Sequence, residues 1–320
     1  MDSELPNWLS RQANLSGQIE RGERAQRRGV VLGNGYFSLT PMNEQTGDSW
    51  SAENSYTSWS ISAGKMWTKR DGWTVAPLPS GKPAMLIGAA LSTKIRAVAK
   101  AGGNPLDPIL MEDSARAIAS DLGYNTTGGR SHRELTGQMM AFASATVHII
   151  TLDTPDEFGG QMFNKVALPL VDGYQLYVPG ASDVLDGMQS SITPSQLLVD
   201  IALDPKTPPV RLDVLARMSG PFPMQVSIWL EKVLFSIRNG HTRERRFEWD
   251  HLFRELTHSY SRLNNFQIYF LRALEEVAHT RALHGVSVTD YEVVKDGRRG
   301  GGTVLVVRRS PLLRKPAADL

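Results

Sequence analysis

The sequence contains no cysteine. This absence excludes disulfide bonds, thiolate metal sites and cysteine nucleophiles, and it fits a protein that stays in a reducing compartment. No stretch reaches the roughly 18 uncharged apolar residues that a transmembrane helix requires. The first residues, MDSELPNWLS, also lack the basic and then apolar pattern of a secretory signal. We therefore expect a cytoplasmic protein that has no contact with a membrane.

Catalytic motifs are missing as well. The histidines are scattered, and no HExxH motif occurs that would place two of them on one helix face. The glycine-rich stretch GRRGGGT lacks the spacing of a phosphate-binding P-loop and lies between two predicted strands. We therefore expect no enzymatic activity, no cofactor and no metal site.

The chain does contain enough apolar residues to fold. Hydrophobic residues make up 41% of the 320 residues, which suits one large domain or two of ordinary size. Charge is distributed unevenly, since the part from Asp204 onward carries 19 Lys/Arg against 13 Asp/Glu, a net of +6. The preceding residues carry 16 against 20, a net of −4. The C-terminal part is therefore the mildly basic half of the chain.

Local composition divides the chain into three parts. Residues 1–30 are polar and end in the basic run IERGERAQRRG, which indicates a flexible N-terminal arm. The stretch LDPKTPPVRLD contains three prolines and predicts a domain boundary. We therefore expect a first domain at residues 31–205, which includes a tryptophan-rich strand region, and a second domain at residues 206–320.

The tryptophan-rich region predicts a β-hairpin. Asp71 and Gly72 separate two strand-like runs, and this residue pair suits the positive φ of a tight turn. Tryptophans in such a region are core or interface anchors more often than stacking surfaces for bases. Lys65, Lys69 and Arg70 lie among them, so the nucleic-acid interpretation stays open.

The same order of elements is predicted twice along the chain. In the first domain the predicted helices lie at 84–100, after Asp113 and at 131–145, and the strands at 108–111, 147–152, 161–167 and 196–202. In the second domain the helices lie at 224–240, after Asp250 and at 263–280, and the strands at 245–248, 286–294 and 303–307. This order is typical of the winged helix, a variant of the helix-turn-helix. We therefore expect an α+β fold with two winged-helix domains in tandem, each with a helical core and a small antiparallel sheet and wing.

The third helix of each predicted domain and the last hairpin carry candidate DNA contacts. In a winged helix the third helix enters the major groove, and the hairpin lies on the backbone or the minor groove. Glycines 300–302 let an arginine-bearing tip approach phosphates closely. Arg308 and Arg309, at the far end, would point to opposite faces of their strand, so only one can easily face DNA. A solvated helix face or an exposed hairpin tip would account for the same residues without DNA. The candidates are Arg130, Ser131, Arg133 and Gln138 in the first domain, and Arg262, Asn264, Asn265, Gln267, Arg272, Arg298 and Arg299 in the second.

Three segments resemble plasmid replication initiator proteins of the RepA type. They are VAPLPSGKPAMLIGAALSTKI at the first long helix, TTGGRSHRELTGQM at the third helix, and SRLNNFQIYFLRALEEV in the second domain. The most specific part is the Thr127-Gly128-Gly129-Arg130 stretch. The resemblance extends over residues 75–311, loosely in the middle, and implies a tandem winged-helix initiator.

Such an initiator binds short direct repeats in double-stranded DNA at a plasmid origin and bends or opens adjacent AT-rich DNA. The resemblance also implies recruitment of the host DnaA protein and replicative helicase, a homodimer formed through the first domain, and repression of the protein's own promoter. One feature departs from the family, whose members usually carry several Lys or Arg in the second recognition helix. This chain has Asn264, Asn265, Gln267 and Ile268 there, so the second domain should bind phosphates more weakly and depend less on salt.

Two other functions fit the same layout. A winged-helix transcriptional repressor or regulator would read DNA with one domain and use the other as an effector or dimer domain. An assembly protein that does not bind DNA would use the tryptophan-rich region as an interface. Only the assembly protein would show no salt-dependent affinity for DNA.

Overall fold

The computed structural model of this protein describes residues 28–30, 48–53, 57–68, 72–111, 129–152, 163–175, 191–204, 209–240, 242–256, 262–284, 290–295 and 303–308. These residues divide into two units. The N-terminal unit comprises the described residues from 29 to 207, and the C-terminal unit comprises mainly those from 208 onward. Most of the predicted N-terminal arm lies outside the described residues, which begin with strand β1 (Arg28–Val30).

The described part of the N-terminal unit contains three antiparallel sheets. The largest has the order β2-β3-β7-β8, built from β2 (Ser49–Glu53), β3 (Thr57–Ser62), β7 (Thr146–Leu152) and β8 (Phe163–Pro169). A separate hairpin pairs β4 (Lys65–Thr68) with β5 (Gly72–Val75). The third sheet has the order β6-β10-β9, built from β6 (Ile109–Leu110), β9 (Val171–Gln175) and β10 (Ser191–Pro194).

Three helices accompany these sheets among the residues that the structure describes. They are α1 (Gly81–Lys100), α2 (Gly129–Ser144) and α3 (Gln196–Leu203). Helix α1 is apolar on most faces, as the sequence predicts, and it is buried over most of its first four turns. It packs against both α2 and α3, and Leu86, Leu91, Leu135 and Phe142 are fully buried. These two contacts form the helical core of the unit.

The segment after β10 corrects one prediction. Residues 196–202 were expected to form a strand, but they lie in α3. The Ser195 hydroxyl caps this helix by accepting a hydrogen bond from the Leu198 amide at 3.3 Å, and it donates one to the Leu170 carbonyl at 3.0 Å. Leu198, Val199 and Ala202 are buried at helical spacing. A short apolar run fits a strand or a buried helix equally well in sequence, and here the serine cap selects the helix.

The C-terminal unit has the order predicted for a winged helix. Its elements are β11 (Pro209–Arg211), α4 (Leu212–Leu215), α5 (Pro221–Asn239), β12 (Glu244–Glu248), α6 (Trp249–Leu256), α7 (Leu263–Leu283), β13 (Asp290–Lys295) and β14 (Thr303–Arg308). Strand β14 lies between β12 and β13 and is antiparallel to both. Gly240 ends α5, as predicted. Asp250 was expected to cap α6 but lies within its first turn, because the helix already begins at Trp249.

An aromatic cluster forms the core of this unit. Phe270 of α7 contacts Trp229 of α5 and Trp249 of α6 edge-on, with ring centroids 5.3 and 5.8 Å apart. Phe266 lies one turn earlier, 5.5 Å from Phe270, and both phenylalanines are fully buried. Residues 304–307 of β14 are buried as well. Helix α7 is therefore fixed by one face, and its other face is left for solvent or a partner.

Candidate nucleic-acid interface

The outward face of α7 carries most of the candidate contacts of the second predicted domain. Helical spacing places Asn264, Asn265 and Arg272 opposite the buried phenylalanines, and all three are exposed. Arg262 is also exposed and occupies the N-cap position, just before the helix. Gln267 lies at the side of the helix and is half-buried. Four of the five predicted residues are thus exposed along the first half of one helix.

Two residues of this face were missed as contacts in the sequence analysis. Ile268 is 51% exposed and Tyr269 is 47% exposed, although both are large and largely apolar. The Arg272 guanidinium lies over the Tyr269 ring, 5.9 Å from its centroid, which orders both side chains on the surface. For Ile268 the signal was present in the sequence, because a residue two positions from a buried phenylalanine on either side lies on the outer half of a helix.

Polar contacts fix the C-terminal half of α7. The buried Glu276 carboxylate accepts hydrogen bonds from the Ser219 amide at 2.5 Å and from the Ser219 hydroxyl at 2.8 Å. Arg281 is fully buried and forms an ion pair with Glu231 of α5. Helix α7 therefore cannot rotate about its axis without breaking buried charged contacts, and its outward face has a fixed direction within the unit.

The β13–β14 hairpin corresponds to the predicted wing. Its strands are paired up to Lys295 and Thr303, and Lys295 is exposed at this end. The candidates Arg298 and Arg299 belong to the connecting segment and lie outside the described residues. The predicted hairpin itself is confirmed.

Arg308, at the other end of the hairpin, is held by carboxylates. Its guanidinium lies 2.5 Å from Glu292 of β13 and 3.0 Å from Glu244 of β12. Hydrogen bonds from Arg308 and then from Arg246 lower the pKa of the Glu244 carboxyl below its usual range. The charge of Arg308 is thus balanced by its neighbours across the three strands. We assign Arg308 to the sheet and not to a phosphate contact.

The candidates of the N-terminal unit lie on α2, which begins at the Gly129-Arg130 motif. Arg130, Ser131 and Arg133 occupy its first two turns, and their side chains lie outside the described part of the structure. Gln138 has a defined partner. The Ser80 amide donates a hydrogen bond to Gln138 Oε1 at 2.7 Å, where Ser80 precedes the first residue of α1. This contact stabilises the start of α1, so we assign Gln138 to positioning that helix.

A buried cluster joins the end of α7 to α4. The Asp213 carboxylate accepts two hydrogen bonds from Arg211, at 3.0 and 2.5 Å, and lies 3.0 Å from His284 Nδ1. Arg211 Nη1 also donates to the His284 carbonyl at 3.2 Å. Burial alone would raise the pKa of the Asp213 carboxyl, but hydrogen bonds from His284 and Arg211 outweigh it and hold the pKa well below its usual range.

This cluster predicts a specific loss of stability in acid. The folded-state pKa of Asp213 is lower than the unfolded value of about 3.9, so its contribution is complete above that pH and declines as the pH falls below about 4. Asp213→Asn is expected to lower the free energy of unfolding by about 1–3 kcal/mol at neutral pH. The difference from the wild type should shrink at pH 3 in urea titrations. The exposed Asp172→Asn serves as the control, and a difference that stays constant with pH would contradict the prediction.

Within the described ranges, no group of three or more His, Asp or Glu residues could hold a metal ion. Among the helices that the structure describes, none is long and apolar enough to cross a membrane.

Comparisons with known proteins are informative at the level of structure. No family model matches the sequence, and no curated protein matches it. The chain is similar to the crystal structure of domains 2 and 3 of RctB, with a TM-score of 0.52 and 9% identity over 86% of this chain and 95% of that one. A selenomethionine derivative of the same domains matches with a TM-score of 0.52 and 11% identity over 85% and 94%. The crystal structure of the Pi initiator protein in complex with iteron DNA has a TM-score of 0.42 and 14% identity over 72% and 94%.

The likeness to the RctB domains shows the fold. The predicted fold class is confirmed: an α+β chain with tandem winged-helix domains and small antiparallel sheets. Within this fold α5, α6 and α7 of the C-terminal unit correspond to the three helices of a winged helix, and the β13–β14 hairpin is its wing. The exposed face of α7 is thus the face that a winged helix presents to the major groove.

Proposed function

We propose that this protein is a sequence-specific DNA-binding initiator of plasmid replication that acts without catalysis of its own. The observation that carries the proposal is the outward face of α7, where Asn264, Asn265, Ile268, Tyr269 and Arg272 are exposed together. The tandem winged-helix fold and the three sequence segments that resemble RepA-type initiators support it. The proposed DNA contacts are the candidates from the sequence, without Gln138.

The chemistry of this face suits base reading more than phosphate binding. Asn264 and Asn265 can each make two hydrogen bonds to adenine, and Arg272 can make two to guanine. Ile268 can contact the methyl group of thymine, and the Tyr269 hydroxyl can donate to a phosphate. Because only one side chain among these five is charged, the outward face of α7 should contribute little to the salt dependence of binding.

The two units have complementary roles in this proposal. A first domain at residues 31–205 would read DNA with the start of α2, through Arg130, Ser131 and Arg133, and a second domain at residues 206–320 would use α7 and the wing. Residues 1–30 would be an arm. Two reading helices in one chain suit direct repeats, because each can occupy its own stretch of major groove.

Partners follow from the resemblance alone. We propose double-stranded DNA repeats as the ligand, and the host DnaA protein and replicative helicase as partners in a cytoplasmic reaction. A homodimer formed through the first domain would allow the same protein to repress its own promoter.

The wing gives a prediction that depends on charge. Replacing Arg298 and Arg299 together by alanine is expected to weaken binding to all DNA sequences and to reduce the slope of log affinity against log salt by about one to two units. Each single replacement should account for about one unit. Lys100→Ala, an exposed charge at the end of α1, is the control. An unchanged slope in the double variant would remove the wing from the interface.

The decisive experiment is DNA binding by the full chain. The DNA upstream of the protein's own gene would be titrated with protein at several salt concentrations and footprinted. Protection of regularly spaced direct repeats with a steep salt dependence is the expected result. Protection of a single palindrome without strand opening would instead indicate a transcriptional repressor, and no protection at any salt would exclude both DNA-binding functions.

A further inference from the structure

The hairpin formed by β4 and β5 carries an exposed pair of tryptophans. Trp67 and Trp73 are directly opposite each other in the register, and they are 58% and 71% exposed. Lys65 and Val75, which form the next pair on the same face, are exposed too. We call these four residues the Trp67–Trp73 face. For this pair the exposure excludes the core, and the interface and base-stacking interpretations are left.

The other side of the hairpin is fixed to the unit. Met66 and Thr74 alternate with the tryptophans and are half-buried, and β4 contacts α2. At the base of the hairpin, the Ala76 amide donates to the Gly64 carbonyl at 2.8 Å. A Cβ added to Gly64 would lie only 1.9 Å from the Ser144 carbonyl oxygen at the end of α2, so glycine is required there. The exposed face is thus presented by an anchored hairpin.

Charge indicates what kind of partner suits this face. Lys65 is exposed beside the tryptophans. The sequence between the two strands adds Lys69 and Arg70 and one carboxylate, Asp71. The exposed Lys65 beside two indole rings, in a stretch of sequence with more cations than carboxylates, matches a partner that carries both negative charge and flat aromatic surfaces.

We propose that the Trp67–Trp73 face is a stacking platform for unpaired bases of single-stranded nucleic acid. Indole rings do not recognise the donor and acceptor pattern on the edges of the bases, but every base offers a π face on which they can stack. In a duplex these faces are covered by neighbouring bases, and only the base edges are open in the grooves. The face therefore fits separated strands. The inference deepens the proposed function and depends on it for context, because an initiator that opens DNA produces unpaired bases.

The test compares two DNA probes on the full chain. A fluorescein-labelled oligothymidylate of about 15 nucleotides, within the range that one single-strand binding module covers, would be titrated by anisotropy. A duplex from the upstream region of the gene would be titrated in parallel. Trp67→Ala with Trp73→Ala is expected to weaken oligothymidylate binding about tenfold or more. Affinity for the duplex should stay within about twofold, since the proposed duplex contacts lie on α2, α7 and the wing.

Controls separate stacking from other causes. Tyr174→Ala, another exposed aromatic of the N-terminal unit, should leave both affinities unchanged. An abasic oligomer of the same length keeps the phosphates but has no bases, and it should bind wild type and variant equally. Trp67→Phe with Trp73→Phe keeps smaller aromatic rings and should lie between the wild type and the alanine variant, which covers the case that the alanine variant does not fold.

The outcomes are distinct. Equal oligothymidylate affinity in the wild type and both folded variants, or no binding by the wild type, would overturn the stacking proposal. Loss of a dimer by light scattering in the variant, with oligothymidylate binding unchanged, would make the face an interface between two copies and would also overturn it. Failure of the duplex to bind would reject the proposed function alone, because the single-strand measurement is independent of it.

Discussion

Phe270→Ala is expected to destabilise the C-terminal unit by about 3–5 kcal/mol. The Phe270 side chain is fully buried. Its ring centroid lies 5.3 Å from that of Trp229, 5.8 Å from that of Trp249 and 5.5 Å from that of Phe266. Truncation removes the buried ring surface and leaves a cavity that three rigid rings cannot easily fill. Because these rings come from α5, α6 and α7, the variant should loosen all three helices together.

Urea unfolding of the full chain would measure this effect, with circular dichroism for the helices and tryptophan fluorescence for Trp229 and Trp249. Tyr269→Ala is the matched control, since its ring belongs to the neighbouring residue on the exposed side of α7. The control should change the free energy of unfolding by about 0.5 kcal/mol or less. A loss for Phe270→Ala no larger than that of the control would mean that α7 packs with another face inward.

The helices and strands with a regular pattern of apolar residues could be predicted from the sequence. Helix α7 has apolar residues at helical spacing, and its start at Leu263 and the burial of Phe266 and Phe270 were predicted correctly. The wing strands were predicted at 286–294 and 303–307, from the apolar runs that flank the glycines, and the structure pairs 290–295 with 303–308. These elements are long or flanked by clear turn signals, so local and long-range preferences agree.

The sequence was insufficient where tertiary contacts decide. The assignment of 196–202 to a strand was wrong, because a short apolar run fits either element, and the Ser195 hydroxyl that caps the helix at Leu198 also bonds to the distant Leu170 carbonyl. Arg308 was left open as a DNA contact, but its two carboxylate partners become neighbours only through the register of three strands. Gln138 resembled a base-reading residue on a helix face, and its bond to Ser80 could not be read from spacing. In each case the side chain had a partner more than ten residues away.

The exposure of the tryptophans was a similar case. Their β-hairpin, including the positive φ of Gly72, was predicted from the sequence. Which side of the hairpin faces the unit was not, because a two-stranded hairpin alternates identically on both sides and the neighbouring helix selects one. Met66 and Thr74 face inward, so Trp67 and Trp73 face outward.

Replacing Asn265 and Arg272 together by alanine is expected to lower the affinity for the specific repeat by about a hundredfold. Both side chains lie on the outward face of α7, and a base contact of either kind contributes about 1–3 kcal/mol. Affinity for unrelated DNA should fall much less, because it depends on phosphate contacts and only one charge is lost. The double variant should therefore lose most of its preference for the repeat.

The single variants assign the two roles. Asn265 has no charge, so Asn265→Ala should relax the preference at one base pair and leave the salt slope unchanged. Arg272→Ala should relax another position if the guanidinium reads guanine, or lower the slope by about one unit if it contacts a phosphate. Binding would be measured by anisotropy on the repeat and on variants of it, at three or more salt concentrations.

Glu275→Gln supplies the control for this experiment, because it is exposed on the same side of α7, one turn beyond Arg272. Removing its negative charge should leave the affinity unchanged or increase it, since a carboxylate near DNA repels phosphates. Wild-type affinity and preference in the double variant would show that α7 does not read the repeat. Sequence recognition would then have to come from α2, whose first turns carry Arg130, Ser131 and Arg133. The C-terminal unit would in that case contact DNA through the wing. The polar side chains on the exposed face of α7 would then serve solubility alone.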